Sequence, residues 1–148
     1  MSFLNSMNIS ASALTATRLR MDIIAENVAN MNTTRTASGE PYRRRYVVFQ
    51  ERANDRTPRS FHAFFNRARD NEVGGVRVVQ IGTDTTDFKV DYNPGHPDAD
   101  ENGYVRMPNV EVVQEMVDMM AAFRAYEANI TALNTMKDMA TRTLELGR

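Results

Sequence analysis

The chain has no cysteine and no tryptophan among its 148 residues. The first absence removes disulfides, thiolate metal sites and cysteine nucleophiles, while leaving the redox compartment open. No apolar run approaches the roughly 18 residues that a membrane-spanning helix needs. The stretch from Met1 to Arg20 lacks the basic start and compact apolar block of a secretory signal. If the protein leaves the cytoplasm, it is expected to do so by a route that leaves this end uncleaved. Histidine is scarce too: His62 and His96 are the only two, and neither stands at a ligand-like spacing from another histidine or a carboxylate. No nucleophile elbow, phosphate-binding glycine loop or dinucleotide fingerprint occurs. These absences leave catalysis little to work with, so a non-enzyme with no cofactor, metal or small-molecule substrate is expected.

Ten methionines stand out in what is present. Methionine fills irregular gaps and tolerates repacking, which suits helix seams shared among non-identical neighbours, although it serves equally as plain core filler. The two long stretches with helical periodicity sit at the two ends. In residues 5–31, Met7, Leu14, Met21 and Val28 recur every seven positions, while Leu19 and Ile23 point to the opposite side. Apolar groups on two faces imply more than one neighbour. Asn5 or Ser6 is a candidate cap for this helix. In residues 109–146, Met116, Met119, Met120, Phe123, Tyr126, Ile130, Leu133 and Leu144 share one broad face, and Asn109 after Pro108 is a candidate cap. Opposite lies a strip of Val117, Ala121, Ala125, Ala128, Ala132 and Met139, small enough for a second helix to approach closely. A helix of that length spans roughly 57 Å at about 1.5 Å per residue, too long for the small core of the remaining chain to cover.

The middle carries β-like runs at Tyr46–Phe49, Val76–Ile81 and Phe88–Tyr92, punctuated by Gly74-Gly75, Gly82 and Asn93-Pro94-Gly95. The expected fold is therefore mainly α with a small β part. Long N- and C-terminal helices pair as a coiled coil, with short antiparallel strands or a hairpin between them. The expected organisation is 1–34 as the N-terminal helix, 35–108 as the β-containing segment and 109–148 as the C-terminal helix. Within the middle, 51–75 is a variable Arg-rich loop containing Phe61, Phe64 and Phe65, and 93–108 is an extended connector. The seven-residue repeat predicts Met7, Leu14, Met21 and Val28 facing Met116, Phe123 and Ile130 within one chain.

Charge is split along the chain. Residues 1–83 hold 12 basic against 7 acidic side chains, and residues 84–148 hold 6 against 12. This suggests contacts between successive molecules in which Arg43, Arg44 or Arg45 meets Asp98, Asp100 and Glu101, or Glu111, Glu115 and Asp118, of a neighbour. A run of three arginines on a chain of net charge −1 is a weak nucleic-acid signal, and no nucleic acid is expected. Asp98-Ala99-Asp100-Glu101-Asn102-Gly103 matches the first half of a calcium-binding loop, which makes a small calcium module the alternative reading. The match then fails. Asn109 stands where the bidentate glutamate belongs, and Pro94 and Pro97 preclude an entering helix.

Three motifs carry a resemblance. Asn27-Val28-Ala29-Asn30-Met31-Asn32-Thr33 closes the first helix, Arg124-Ala125-Tyr126-Glu127-Ala128-Asn129 lies in the last, and Gly103-Tyr104-Val105-Arg106-Met107-Pro108-Asn109-Val110 precedes it. Together they resemble the flagellar basal-body rod family, in its proximal-rod branch. The likeness covers residues 1–50 and 76–148 and is poor across 51–75, which looks longer than the family's usual connector. What it implies is a structural subunit whose terminal helices build a hollow, torque-transmitting rod with copies of itself and other rod proteins. It also implies export through the flagellar type III apparatus, a site in the periplasm, and contact with the MS ring or export gate at the motor's base. Asn27, Asn30 and Asn129 join the apolar helix positions as its implied assembly residues.

Overall fold

The computed structural model describes residues 3–52 and 74–147. The Phe61, Phe64 and Phe65 cluster, His62 and most of the Arg-rich loop lie outside the described residues. Helix α1 runs Phe3–Ala29, followed by β1 (Arg45–Glu51), β2 (Val76–Thr83), β3 (Lys89–Tyr92), β4 (Tyr104–Met107) and helix α2 (Val112–Leu146). The fold is mainly helical with two small two-stranded sheets, β1–β2 and β3–β4. Backbone bonds from Arg52 N–H to Gly75 O and from Asp84 N–H to Arg44 O show that β1 and β2 run antiparallel. No described helix is long and apolar enough to cross a membrane.

Contacts cluster the chain into two compact units. The first gathers Met1–Arg18, Phe49–Val79 and Arg124–Arg148. Here β2 starts against α1, where the Val76 N–H donates to Ser12 Oγ at 3.1 Å and Ser12 Oγ donates to Ile9 O at 2.7 Å. Gly75 has a positive φ of 78°, and a Cβ there would collide with Ser12 Oγ, so the position admits only glycine.

The second unit gathers Leu19–Val48 and Gln80–Phe123. Its buried residues include Ile23, Ile24, Asn27, Tyr42, Val105, Val110, Glu115 and Ala122. Gly82 lies under the Tyr46 ring, whose Cζ would be 2.6 Å from an added Cβ. In the second hairpin Tyr92 pairs with Tyr104 and Val90 with Arg106. The two tyrosine rings meet edge to face with centroids 5.3 Å apart. Gly103 closes that hairpin at φ +80°. The segment read from sequence as a connector thus supplies a strand, β4.

Both proposed helix caps are corrected. Asn5 and Ser6 fall inside α1. Asn109 precedes α2 by too far, because the first turn closes from Glu115 N–H to Glu111 O. Asn109 spends its side chain elsewhere: Oδ1 accepts from the Arg44 N–H at 2.8 Å, and Nδ2 donates to Thr86 Oγ1 at 2.8 Å. It pins the start of β1 to the β2–β3 loop rather than capping a helix.

Candidate assembly surface

Among the buried and half-buried positions of α2, Val112, Glu115, Met119, Ala122, Tyr126, Asn129, Leu133, Met136 and Ala140 are spaced alternately three and four apart on one face, with Asp118 and Ala132 flanking it. That spacing is a coiled-coil seam. Of the large apolar residues favoured for the seam, Met119, Tyr126 and Leu133 lie in it and the others lie outside it. Met116 is 57% exposed, Met120 56% and Phe123 57%, and Ile130 and Leu144 are exposed as well. The expected facing of Met116, Phe123 and Ile130 toward α1 is thereby corrected. Tyr126, Asn129 and Leu133 are half-buried, as are Met7, Leu14, Met21, Val28 and Asn30 on or just beyond α1. Buried on α1 are Ser10, Ala16, Ile23, Ile24 and Asn27. Small and polar groups such as Ser10, Ala16, Asn27, Glu115 and Ala122 share the inner positions with larger apolar ones, letting the helices approach closely and bond across the gap.

Val113, Met116, Val117, Met120 and Phe123 form an exposed apolar strip along the first part of α2, all within the second unit. Single exposed apolar residues are ordinary, whereas a contiguous strip marks an interaction surface.

Behind that strip sits a fully hydrogen-bonded polar cluster. Asn27 and Glu115 both have 0% exposure. Asn27 Oδ1 accepts from Tyr42 Oη–H at 2.9 Å and from the Arg45 N–H at 2.9 Å. Asn27 Nδ2 donates to Arg45 O at 2.8 Å and to Glu115 Oε2 at 3.0 Å. Arg44 Nε donates to Glu115 Oε1 at 2.6 Å and its guanidinium reaches Asp118 at 3.5 Å. Arg20 lies 3.8 Å from the other Asp118 oxygen. Among the described residues no buried side-chain nitrogen or oxygen lacks a partner. Burial raises the Tyr42 hydroxyl above its ordinary pKa; the charge of Glu26 adds to this, Arg45 opposes it, and Glu115 contributes last. The helix-ending motif is explained as well: Asn30 Nδ2 donates back to Glu26 O at 2.9 Å, and Thr33 Oγ1 donates to Asn30 Oδ1 at 3.1 Å, turning the chain out of α1.

The arginine run is used inside the chain. Arg44 takes Glu115 and Asp118, the carboxylates expected to serve a neighbour's arginine. Arg45 pairs with Glu26 at 2.9 Å, and Arg43 stacks over Phe88 at 4.1 Å. The acidic turn is also committed. Asp98 accepts from Thr34 Oγ1 at 2.7 Å and lies 3.8 Å from Arg35. Asp100 Oδ1 accepts the N–H groups of Asn102 at 3.0 Å and Tyr104 at 2.9 Å. Glu101 is exposed. The half calcium motif is thus a turn built on Asp100, whose Oδ1 accepts those two N–H groups. An open groove of about 640 Å³ beside it is lined by Phe88, Val90, Pro97, Tyr104 and Arg106.

The described residues thus combine long terminal helices, an exposed apolar strip on α2 and a buried polar cluster that ties helices and strands together. Comparison with known proteins identifies the family. The profile described as "Flagella basal body rod protein" matches residues 7–35, and "Flagellar basal body rod FlgEFG protein C-terminal" matches 101–146. The chain is 44% identical to the flagellar basal-body rod protein FlgC of Borreliella burgdorferi, covering 99% of this chain and 98% of that one. It is 44% identical to FlgC of Bacillus subtilis over the full length of both, and 43% identical to FlgC of Salmonella typhimurium, again over the full length of both. The chain belongs to the FlgC family of flagellar basal-body rod proteins.

Proposed function

We propose that the chain is a structural subunit of the flagellar basal-body rod, assembling with other rod proteins and catalysing no reaction. The carrying observation is the apolar strip from Val113 to Phe123, in a chain that aligns end to end with basal-body rod proteins. Such a strip is costly in water and is covered when subunits pack. Copies of this chain and the other rod proteins are the covering surfaces, so that α1 and α2 contribute to the wall of a hollow shaft that transmits torque. The subunit reaches the periplasm through the flagellar type III apparatus without cleavage, and the base of the rod meets the MS ring and export gate. The terminal segments 1–34 and 109–148 serve polymerisation, and 35–108 forms the outer β-containing part. Family resemblance supports these finer points.

The test is complementation of a strain lacking its own copy. A chain carrying Phe123→Glu is expected to be exported yet missing from isolated basal bodies, with motility lost. Incorporation of that variant at the unsubstituted level would show that the strip is not an assembly surface.

A further inference from the structure

The geometry points to Asn27 as the residue that sets the register of α1 against α2. Within the second unit the helices run antiparallel, with Asn27 bonded to Glu115 and Arg20 paired with Asp118. A seam repeating every heptad fits its partner nearly as well after a slip of one heptad, unless something in it breaks the repeat. Ile23, Met119 and Ala122 offer no directional bonds and do not break it. Asn27 does. Both acceptor positions of its amide oxygen and one of its two N–H groups are taken by Tyr42 and Arg45, which fixes the orientation of the amide. The remaining N–H has one acceptor, Glu115 Oε2, and the other oxygen of that carboxylate is held by Arg44.

A slip of one heptad in one direction sets the fully buried amide against the methyl of Ala122. A slip the other way sets it against Pro108 and draws Glu115 away from Arg44. Either leaves a buried polar group without its partner, the strongest local objection a protein interior can raise. A single buried asparagine in a helix seam is the best-attested register device. Here it is tied to a strand as well, so that the helix pairing and the start of β1 are specified together. This reading concerns the chain itself and stands whether or not the strip on α2 meets a rod neighbour.

Because the chain has no cysteine, paired cysteines report register directly in the full-length protein oxidised in cells. Ile23→Cys with Met119→Cys stand opposite in the present register. Ile23→Cys with Val112→Cys, or with Tyr126→Cys, stand opposite only after a slip, and disulfide geometry rejects pairs two helical turns apart. With Asn27 intact, only the Ile23/Met119 pair is expected to link, read as a mobility shift on denaturing gels. In an Asn27→Leu background a slipped pair should link at its expense. Exclusive retention of the Ile23/Met119 product in that background would overturn the inference. Should Asn27→Leu yield no product from any pair, Asn27→Asp decides. Alone it sets two carboxylates together and should lose the native product. Combined with Glu115→Gln, which supplies the donor across the seam while leaving Arg45 O without its own, it should recover part of that product. No recovery would also overturn the inference.

Discussion

Asn27 shows how one side chain can hold three segments. Its truncation in Asn27→Ala leaves the Tyr42 hydroxyl, both main-chain groups of Arg45 and one oxygen of Glu115 short of a partner. Each unsatisfied buried group costs about 1–3 kcal/mol, so the full chain is expected to lose about 3 kcal/mol or more, measured by urea unfolding. Arg44→Leu removes the cation from a carboxylate with 0% exposure, and breaking such a pair costs about 3–5 kcal/mol. Tyr42 adds a pH dependence. Its folded pKa is raised above 10.0, first by burial. The protonated hydroxyl is therefore favoured by folding. Its stabilisation is fully present below the ordinary tyrosine value and is lost as pH rises through the folded pKa. Tyr42→Phe should flatten the alkaline fall of the urea midpoint, and an unchanged fall would assign it to other groups.

At the scale of elements, α2 carries two unlike faces. Its inner face, with Glu115, Ala122 and Asn129, is polar or small at many positions, whereas its outer face is apolar from Val113 to Phe123. Met116→Glu and Met120→Glu should therefore leave stability within about 0.5 kcal/mol, as surface changes do, while abolishing assembly. A large fall in stability would place those side chains in the subunit's own core. The existence of both helices was legible from periodicity. Which face turned inward was legible only in part: Met119, Tyr126 and Leu133 lie on the seam, but periodicity ranks the largest apolar residues highest and so sets Met116, Phe123 and Ile130 there as well, where the structure exposes them. Strand β4 escaped notice because Tyr104–Met107 is short and sits among Pro94, Gly95, Pro97 and Gly103. The motif around Asn27 was legible as a resemblance, yet no spacing links Asn27 to Arg45 or Glu115. Those partners are made by the fold, as is the engagement of Arg44 with Glu115 and Asp118.

For the whole molecule, the apolar strip implies that assembly completes what folding leaves exposed. Truncation of residues 1–10 or 139–148 is expected to abolish assembly, and limited proteolysis of the isolated monomer should trim both ends first, since helices with an uncovered face repay less of their ordering entropy. Uniform protection of both ends in a demonstrated monomer would contradict this. The charge split, +5 over residues 1–83 against −6 over 84–148, is in part answered inside the chain by the pairs of Arg20 with Asp118, Arg35 with Asp98 and Arg44 with Glu115. Hydrophobic cover, not charge, is accordingly expected to be the main source of affinity between subunits. The most direct test is maleimide labelling of a Phe123→Cys chain, which carries no other cysteine, in isolated monomer and in intact basal bodies. Burial of the strip by neighbouring subunits predicts rapid labelling in the monomer and near-complete protection in the basal body. Equal labelling in both would mean that the exposed face of α2 is not where the rod is joined.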